Sequence, residues 1–235
     1  MIDLDQFDAD AFQARYDIME AAIPAYLEKG MDFTLKEVAR EAGITVGEIF
    51  EYFPDKKSIL EFYYTSLAVR YRLMLEEIDD FEEYSLGEKL SNLAYTTFDM
   101  MAEQEAFVQA TFTELVLCAR GRTDFGKEIR GLLRRMFEND DYIPYLNTMV
   151  LGGRFYGLLY RKYLALIRFW LGDESEGRQQ TMELTDKTTA LAEELMYSGA
   201  ADRGVDLLRY LAGNSFFIDR IPLVRELRSK FEFRS

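Results

Sequence analysis

Residues 33–60 read FTLKEVAREAGITVGEIFEYFPDKKSIL, and this stretch decides the fold of the N-terminal part of the chain. Its segments 34–37 (TLKE) and 45–48 (TVGE) each place a threonine three residues before a glutamate, which is the capping-box pattern of a helix start. Gly43 lies between the two predicted helices, where a glycine permits a tight turn. The spacing therefore predicts a helix-turn-helix whose second helix ends near Tyr52.

The remainder of the chain has apolar residues at intervals of three and four, without an alternating strand pattern bounded by hairpin turns. We therefore predict an all-α fold. A small three-helix domain, 1–65, contains the helix-turn-helix, and a larger helical domain covers 66–235. The spacing predicts helices over about 8–28, 34–43, 45–52, 56–80, 86–104, 106–120, 125–138, 143–171, 176–198 and 200–211, and a last helix after Pro222.

The composition restricts the possible functions. The 235 residues carry a net charge of −14, the wrong sign for a general nucleic-acid binder, so any DNA contact must come from a local patch. The chain has no histidine and one cysteine, Cys118, which excludes a His/Cys metal cluster and an internal disulfide. We expect no metal and no cofactor. Residues 1–12 lack a secretory signal pattern, and charges interrupt the apolar stretch 154–171, so we expect a cytoplasmic protein.

The helix-turn-helix region resembles the TetR family of regulators over about residues 12–65. The resemblance rests on Thr34, Val38, Ala39, Ala42, Gly43, Ile44, Thr45, Gly47, Ile49, Phe50, Tyr52, Phe53 and Lys56, each at the spacing that the family uses. It implies a homodimer in which each subunit has a small DNA-binding domain and a larger domain that holds a ligand and the dimer interface. The chain lacks a Gly-rich phosphate loop and a nucleophile elbow, so we predict that it is not an enzyme.

The resemblance also implies which residues approach an operator. We predict that phosphate is contacted through hydroxyls, helix N-termini and one cation, by Thr34, Thr45, Tyr52 and Lys56. The apolar motif residues, Phe50 among them, are predicted to close the three-helix core. The predicted DNA-binding residues are Thr34, Thr45, Val46, Gly47, Glu48, Glu51, Tyr52 and Lys56.

Two of these residues are glutamates, which nearby phosphates would repel. Glu48 occupies the third position of its helix, where it completes the capping box with Thr45. Glu51 has no such role on the same exposed face. Residues 1–65 contain six basic and 14 acidic residues, a net charge of −8, whereas 66–235 carry −6. The charge therefore predicts weak DNA binding through few contacts, or its loss.

The larger domain is rich in aromatic residues, methionine and leucine at helical intervals. Such residues form either a packed core or the wall of a cavity, and the second role favours an apolar small molecule or lipid over a sugar. The predicted ligand-binding residues are Tyr95, Phe98, Met101, Phe112, Leu115, Phe137, Tyr156 and Arg161.

Arg154, Arg161 and Arg168 recur every seven residues and form one stripe on a predicted helix. Two roles are open for this stripe. The arginines either pair across the dimer with acids of the next helix, or one of them binds the carboxylate of a fatty ligand. The acids considered are Glu183, Asp186 and Glu193.

Two C-terminal features favour a lipid. The segment 169–187 resembles the ubiquinone-biosynthesis lipid-binding branch of TetR-fold proteins, mainly at Trp170, Asp173, Ser175 and Thr181; that branch binds isoprenoid lipids and is not thought to act on DNA. The tail Phe216–Ser235 has five basic and three acidic residues with one apolar face. It docks on the protein itself or makes peripheral contact with an anionic membrane.

These observations support two hypotheses. The first is a dimeric regulator that binds a DNA operator and is released by an apolar ligand. The second is a TetR-fold protein that has lost DNA binding and carries a lipid or other hydrophobic ligand, with membrane association through its C-terminal helix.

Overall fold

The computed structural model describes residues 7–119, 123–149 and 151–198, and every regular element within these ranges is helical. The α-helices are α1 (Ala9–Lys29), α2 (Leu35–Ala42), α3 (Val46–Tyr52), α4 (Lys56–Glu76), α5 (Leu86–Ala102), α6 (Glu105–Phe112), α7 (Asp124–Glu138), α8 (Tyr145–Thr148), α9 (Gly153–Leu171) and α10 (Gln179–Tyr197). The predicted all-α class is confirmed. The first residues, the predicted helix 200–211 and the tail Phe216–Ser235 lie outside the described ranges.

The helix-turn-helix forms as its capping signals predict. Thr34 and Thr45 are the N-caps of α2 and α3, and each makes the reciprocal capping-box bonds with the glutamate three residues later. Gly43 ends α2 in the left-handed conformation, with φ 70° and ψ 25°. A residue with a β-carbon is strained there, so the turn requires this glycine.

Two predicted helices are shorter in the structure. The helix expected over 56–80 ends at Glu76, and Asp80 adopts a left-handed conformation with φ 62°, which no helix interior permits. The helix expected over 143–171 divides into α8 and α9. Gly152 lies between them with extended backbone, at φ −165° and ψ 177°. The adjacent Gly153 carries the same low helix propensity, so the glycine pair explains the break.

The helix expected over 106–120 changes its hydrogen bonding partway along. After α6, residues Thr113–Leu117 form a π-helical turn, and the Cys118 N–H donates to the Thr113 carbonyl oxygen at 3.0 Å. Such turns insert one extra residue per turn and redirect the chain. Here the turn precedes the connection to α7.

Helix α4 is shared between the two parts of the chain. It packs on α1 at one side and on α7 at the other, and its side chains belong to one continuous apolar core. Tyr64 shares a 2.7 Å hydrogen bond with Thr111 in α6, and the rings of Tyr63 and Phe107 are 5.0 Å apart. The predicted domain boundary at 65 therefore falls inside an uninterrupted helix.

The C-terminal helices close the larger part of the fold. α10 packs along α5, and the Gly87 N–H donates to Glu193 Oε2 at 2.7 Å. A β-carbon at Gly87 would lie 2.8 Å from that oxygen, so a larger residue here would displace the Glu193 carboxylate. Within the described ranges, no helix is long and apolar enough to span a bilayer.

Candidate DNA-reading surface and arginine groove

Helix α3 has one buried and one exposed face. Ile49 and Phe53 are buried, which anchors α3 on the core. Phe50 is 55% exposed, so its predicted core position is wrong. Successive helical residues differ by about 100°, so one narrow buried face cannot hold both Ile49 and Phe50. The exposed face therefore presents Gly47, Phe50 and Glu51, with Tyr52 at its edge.

Glu48 is engaged at the start of α3. Its Oε2 accepts hydrogen bonds from the Thr45 N–H and the Thr45 hydroxyl, each at 2.7 Å. The Glu48 N–H donates to Thr45 Oγ1 at 3.2 Å. The bonds from the Thr45 hydroxyl and backbone lower the pKa of Glu48. The predicted capping role of Glu48 is confirmed, and its charge is held at the positive end of the helix.

Glu51 differs from Glu48 in its contacts. It is exposed, and within the described ranges it makes no hydrogen bond or ion pair. Its carboxylate is an available acceptor on the face that would enter a DNA groove. A carboxylate in that position accepts from the cytosine amino group but is repelled by phosphates.

Lys56, predicted to contact phosphate, is half-buried and bonded to the protein's own backbone. Its Nζ donates to the carbonyl oxygens of Met31 at 2.7 Å and Phe33 at 2.8 Å. It also lies 5.1 Å from the centroid of the Phe33 ring. Two of its three N–H donors therefore join α4 to the connection between α1 and α2. A phosphate contact through the third donor stays a prediction.

The helix-turn-helix also exposes two cations that are not among the predicted DNA-binding residues. Lys36 and Arg40 of α2 are exposed, and neither forms an ion pair in the described part of the chain. Lys57, in contrast, pairs with Glu61 at 3.1 Å. The sequence places Lys36 and Arg40 on α2, but only the packing of α2 shows that both side chains point outward. They are additional candidates for phosphate contact.

The predicted ligand-binding residues do not form one site. Six of them are buried in the continuous apolar core: Phe98, Met101, Phe112, Leu115, Phe137 and Tyr156. Phe98, for example, stacks on Trp170 with ring centroids 5.7 Å apart and planes 3° apart. Ligand contact by these six would require the core to open, and it stays a prediction.

Of the other two, Tyr95 is half-buried and packs against the edge of that core, with its ring centroid 6.4 Å from that of Phe98. The Tyr95 hydroxyl donates to the Asp186 carboxylate and to the Met182 carbonyl oxygen, which joins α5 to α10. Burial raises the pKa of Tyr95, and the hydrogen bond to Asp186 adds to the shift. Arg161 is exposed on the outer surface of α9, in a different environment.

Arg161 lines a groove between α7 and α9, which we call the arginine groove. The groove has a volume of about 770 Å³. In the described part of the chain, Arg154, Arg161 and Arg168 make no ion pair or hydrogen bond. The lining residues are Leu117, Arg130, Arg154, Gly157, Tyr160, Arg161, Leu164, Ala165 and Arg168.

The acids considered as partners for this stripe have contacts within their own protomer. Glu193 accepts from the Gly87 N–H, and Asp186 accepts from Tyr95. Glu183 pairs with Lys187 at 2.6 Å. Pairing across a dimer would have to break or share these bonds, which makes it the weaker of the two roles left open.

The residues that resemble the lipid-binding branch hold the connection between α9 and α10. Asp173 Oδ1 accepts from the N–H and hydroxyl of Ser175, at 2.9 and 2.6 Å. Its Oδ2 accepts from the N–H and hydroxyl of Thr181, at 2.7 and 2.6 Å. The Arg178 guanidinium lies 4.0 Å from the Trp170 ring centroid. These contacts give all four residues a structural role that requires no lipid.

Comparison with known protein families decides the assignment. Residues 18–62 match the family described as bacterial regulatory proteins, tetR family, and 89–211 match the tetracyclin repressor-like C-terminal domain. The chain belongs to the TetR family. The predicted recognition is confirmed, and TetR regulators typically act as dimers that bind DNA and small-molecule ligands. The family matches leave residues 63–88, most of them in α4, between the two parts.

One solved TetR structure shows the same architecture, and others match this chain less closely. A TetR transcriptional regulator from Nitrosomonas europaea has a TM-score of 0.55 and 18% identity, over 76% of this chain and 96% of that one. At this identity the similarity concerns the fold alone. The fatty acid degradation regulator FadR from Bacillus halodurans has a TM-score of 0.47 and 19% identity, over 74% and 96% of the two chains. A tetR-family regulator from Streptomyces coelicolor has a TM-score of 0.48 and 15% identity, over 84% and 99%. No curated protein sequence matches the chain.

Proposed function

We propose that this protein is a dimeric, non-enzymatic regulator that binds DNA through α3 and is released by an apolar ligand in its larger part. The observation that carries the proposal is the intact helix-turn-helix, with both capping boxes closed and an exposed face on α3. A helix of this kind places its exposed residues against base edges in the major groove.

The exposed face has a definite chemical character. Phe50 offers apolar contact to a thymine methyl group, and Glu51 offers an acceptor to the cytosine amino group. The exposed Lys36 and Arg40 supply cations for phosphate. Such a surface binds few phosphates, so its affinity depends on salt less steeply than that of a basic DNA-binding domain.

A route for ligand response runs through α6. Phe107 packs against Tyr26 of α1 with ring centroids 5.7 Å apart, and against Tyr63 of α4 at 5.0 Å. Phe107 therefore contacts both helices that support the helix-turn-helix. A ligand that favours a displaced α6 would shift the spacing of the two α3 helices in a dimer.

Exposed apolar residues on α9 and α10 favour a homodimer. Large apolar side chains exposed on adjacent helices indicate a protein interface, and these helices pack side by side. The residues concerned are Leu158 and Phe169 on α9, and Leu191 and Leu195 on α10.

The test is selection of bound sequences from a random DNA library at about 50 mM salt, where few phosphate contacts still suffice. We expect enrichment of a palindrome. Glu51→Gln should change base preference at one position of each half-site. Glu174→Gln removes the same charge from the distant connection between α9 and α10 and should leave the preference unchanged. Absence of any enriched sequence would contradict DNA recognition.

A second function is favoured by one set of observations. Residues 1–65 carry −8, Glu51 is exposed, and Lys56 is engaged within the protein. We propose as the alternative a TetR-fold carrier of a lipid or other hydrophobic ligand, with membrane contact through Phe216–Ser235. Native mass spectrometry should then detect copurified lipid, and the protein should float with anionic liposomes while a variant truncated after residue 215 does not. An unliganded, non-floating protein would contradict this alternative.

A further inference from the structure

We infer that the arginine groove binds an anionic amphiphile, with its head group on Arg161 and its apolar chain along the floor of the groove. The inference rests on the ligand-binding half of the proposed function and is independent of DNA binding. Three features of the groove support it: its charge, its floor and its length.

The charge of the groove contrasts with that of the molecule. Four arginines line one groove in a chain of net charge −14. Three of them have no ion pair or hydrogen bond within the described ranges. Guanidinium groups bind carboxylates and phosphates through paired N–H donors, so this concentration of arginines selects an anion.

The floor of the groove is largely apolar. Leu117, Leu164 and Ala165 line it beside Tyr160. The Arg130 guanidinium lies 5.3 Å from the centroid of the Tyr160 ring. The Tyr160 side chain is buried at this floor, near Thr123. An apolar chain covering this floor adds binding free energy that an inorganic anion lacks.

The length of the groove fits a chain rather than a compact anion. Arginines seven residues apart on a helix are separated by about 10 Å, so the row from Arg154 to Arg168 extends for about 20 Å. Arg161 occupies the centre of that row. A head group there has a flanking arginine at each side, and a chain can extend toward either end of the groove.

The experiment is isothermal titration of the full-length protein with decanoate, decyl phosphate, decanol and inorganic phosphate. We expect decanoate and decyl phosphate to bind at least about tenfold more tightly than decanol, because a charge-assisted hydrogen bond contributes about one decade in affinity. Inorganic phosphate alone should show no measurable binding, since exposed arginines gain little from a screened ion. Equal binding of decanol and decanoate would overturn the proposal.

Variants assign the binding to the groove. Arg161→Gln should weaken decanoate binding by about tenfold, and Ala165→Glu should weaken it further by placing a carboxylate at the floor. Lys162→Gln makes the same charge change at the next residue of α9, outside the groove lining, and should bind as the wild type does. All three positions are exposed, so the variants should fold. Unchanged decanoate affinity in Arg161→Gln, or an equal loss of affinity in Lys162→Gln, would overturn the site.

The titration and the DNA selection test different parts of the proposed function, so one can fail without the other. Decanoate binding that needs Arg161, together with no enriched DNA sequence, would refute only the DNA-binding part of the proposed function. An enriched operator together with ligand binding that ignores Arg161 would refute only the arginine groove.

Discussion

A single ammonium group connects three elements of the DNA-binding part. Lys56 at the start of α4 donates to the carbonyl oxygens of Met31 and Phe33, which lie in the connection between α1 and α2. These two bonds attach the connection to α4. Because both bonds come from a charged donor, they are stronger than neutral hydrogen bonds.

Replacement of this lysine should therefore destabilise the fold. Lys56→Met keeps the length of the side chain and removes both hydrogen bonds, and we expect the free energy of unfolding to fall by about 1–3 kcal/mol. Urea denaturation followed by circular dichroism measures the change. Lys57→Met is the matched control, because Lys57 makes only a surface pair with Glu61 and its loss should cost less than about 0.5 kcal/mol. Equal losses in both variants would contradict the structural role of Lys56.

At the scale of elements, the connection between α9 and α10 depends on one carboxylate. Asp173 accepts four hydrogen bonds, two from Ser175 and two from Thr181. These bonds, first of all those from the two hydroxyl groups, lower the pKa of Asp173 well below its ordinary value of 3.8. The connection is therefore specified by hydrogen bonds to one carboxylate as well as by apolar packing.

The lowered pKa predicts how stability depends on pH. Because the folded state binds the proton of Asp173 more weakly than the unfolded state, its stabilisation is complete above the ordinary pKa and is lost as the pH falls below about 4. We expect the Tm of the wild type to fall between about pH 5 and pH 2.5. Asp173→Asn should show a shallower fall over that range, with a lower Tm at pH 6. Calorimetry measures both values, and Glu174→Gln should keep the wild-type slope.

At the scale of the molecule, different parts of the surface are suited to different functions. The core is continuous from α1 to α10, so the two parts share packing through α4. Exposed apolar residues are found on α9 and α10, and the arginine groove runs along the flank of α9 toward α7. The groove and the proposed dimer surface are thus neighbours, and ligand binding in one can influence the other.

The dimer surface can be tested by adding charge to it. Leu191 on α10 is 54% exposed, and we expect Leu191→Lys to convert a dimer into a monomer at micromolar concentration, because an isologous interface would bury the new charge twice. Leu27→Lys is the control, since Leu27 is 46% exposed on α1, away from α9 and α10. Sedimentation velocity gives the mass of each. A dimeric Leu191→Lys would contradict this surface.

Local patterns in the sequence predicted local features correctly. The two capping boxes, the turn at Gly43 and the burial of Ile49 depend on residues within four positions of one another, and each was found where expected. Two errors were also local in origin. Phe50 cannot share the buried face with Ile49, from which it is displaced by about 100° on the helix, and the pair Gly152 and Gly153 breaks the helix predicted over 143–171.

The candidate sites could be predicted only in part, for a physical reason. Lys56 meets partners 23 and 25 residues away, and Glu193 meets Gly87 at a separation of 106 residues. Helical periodicity identifies which residues share a face, but it does not identify the element that covers that face. The predicted ligand-binding aromatics therefore turned out to lie in the core, while the arginine stripe turned out to line a groove.

The sequence by itself determined the all-α class, the helix-turn-helix and the TetR resemblance, because capping, glycine conformation and helical spacing act over a few residues. The tertiary structure decided which charged side chains are available to bind a partner. It holds Lys56 in bonds to Met31 and Phe33 and leaves Glu51 exposed, and it assembles Arg130 of α7 with the arginines of α9. Charge availability depends on contacts between distant elements, which no local pattern encodes.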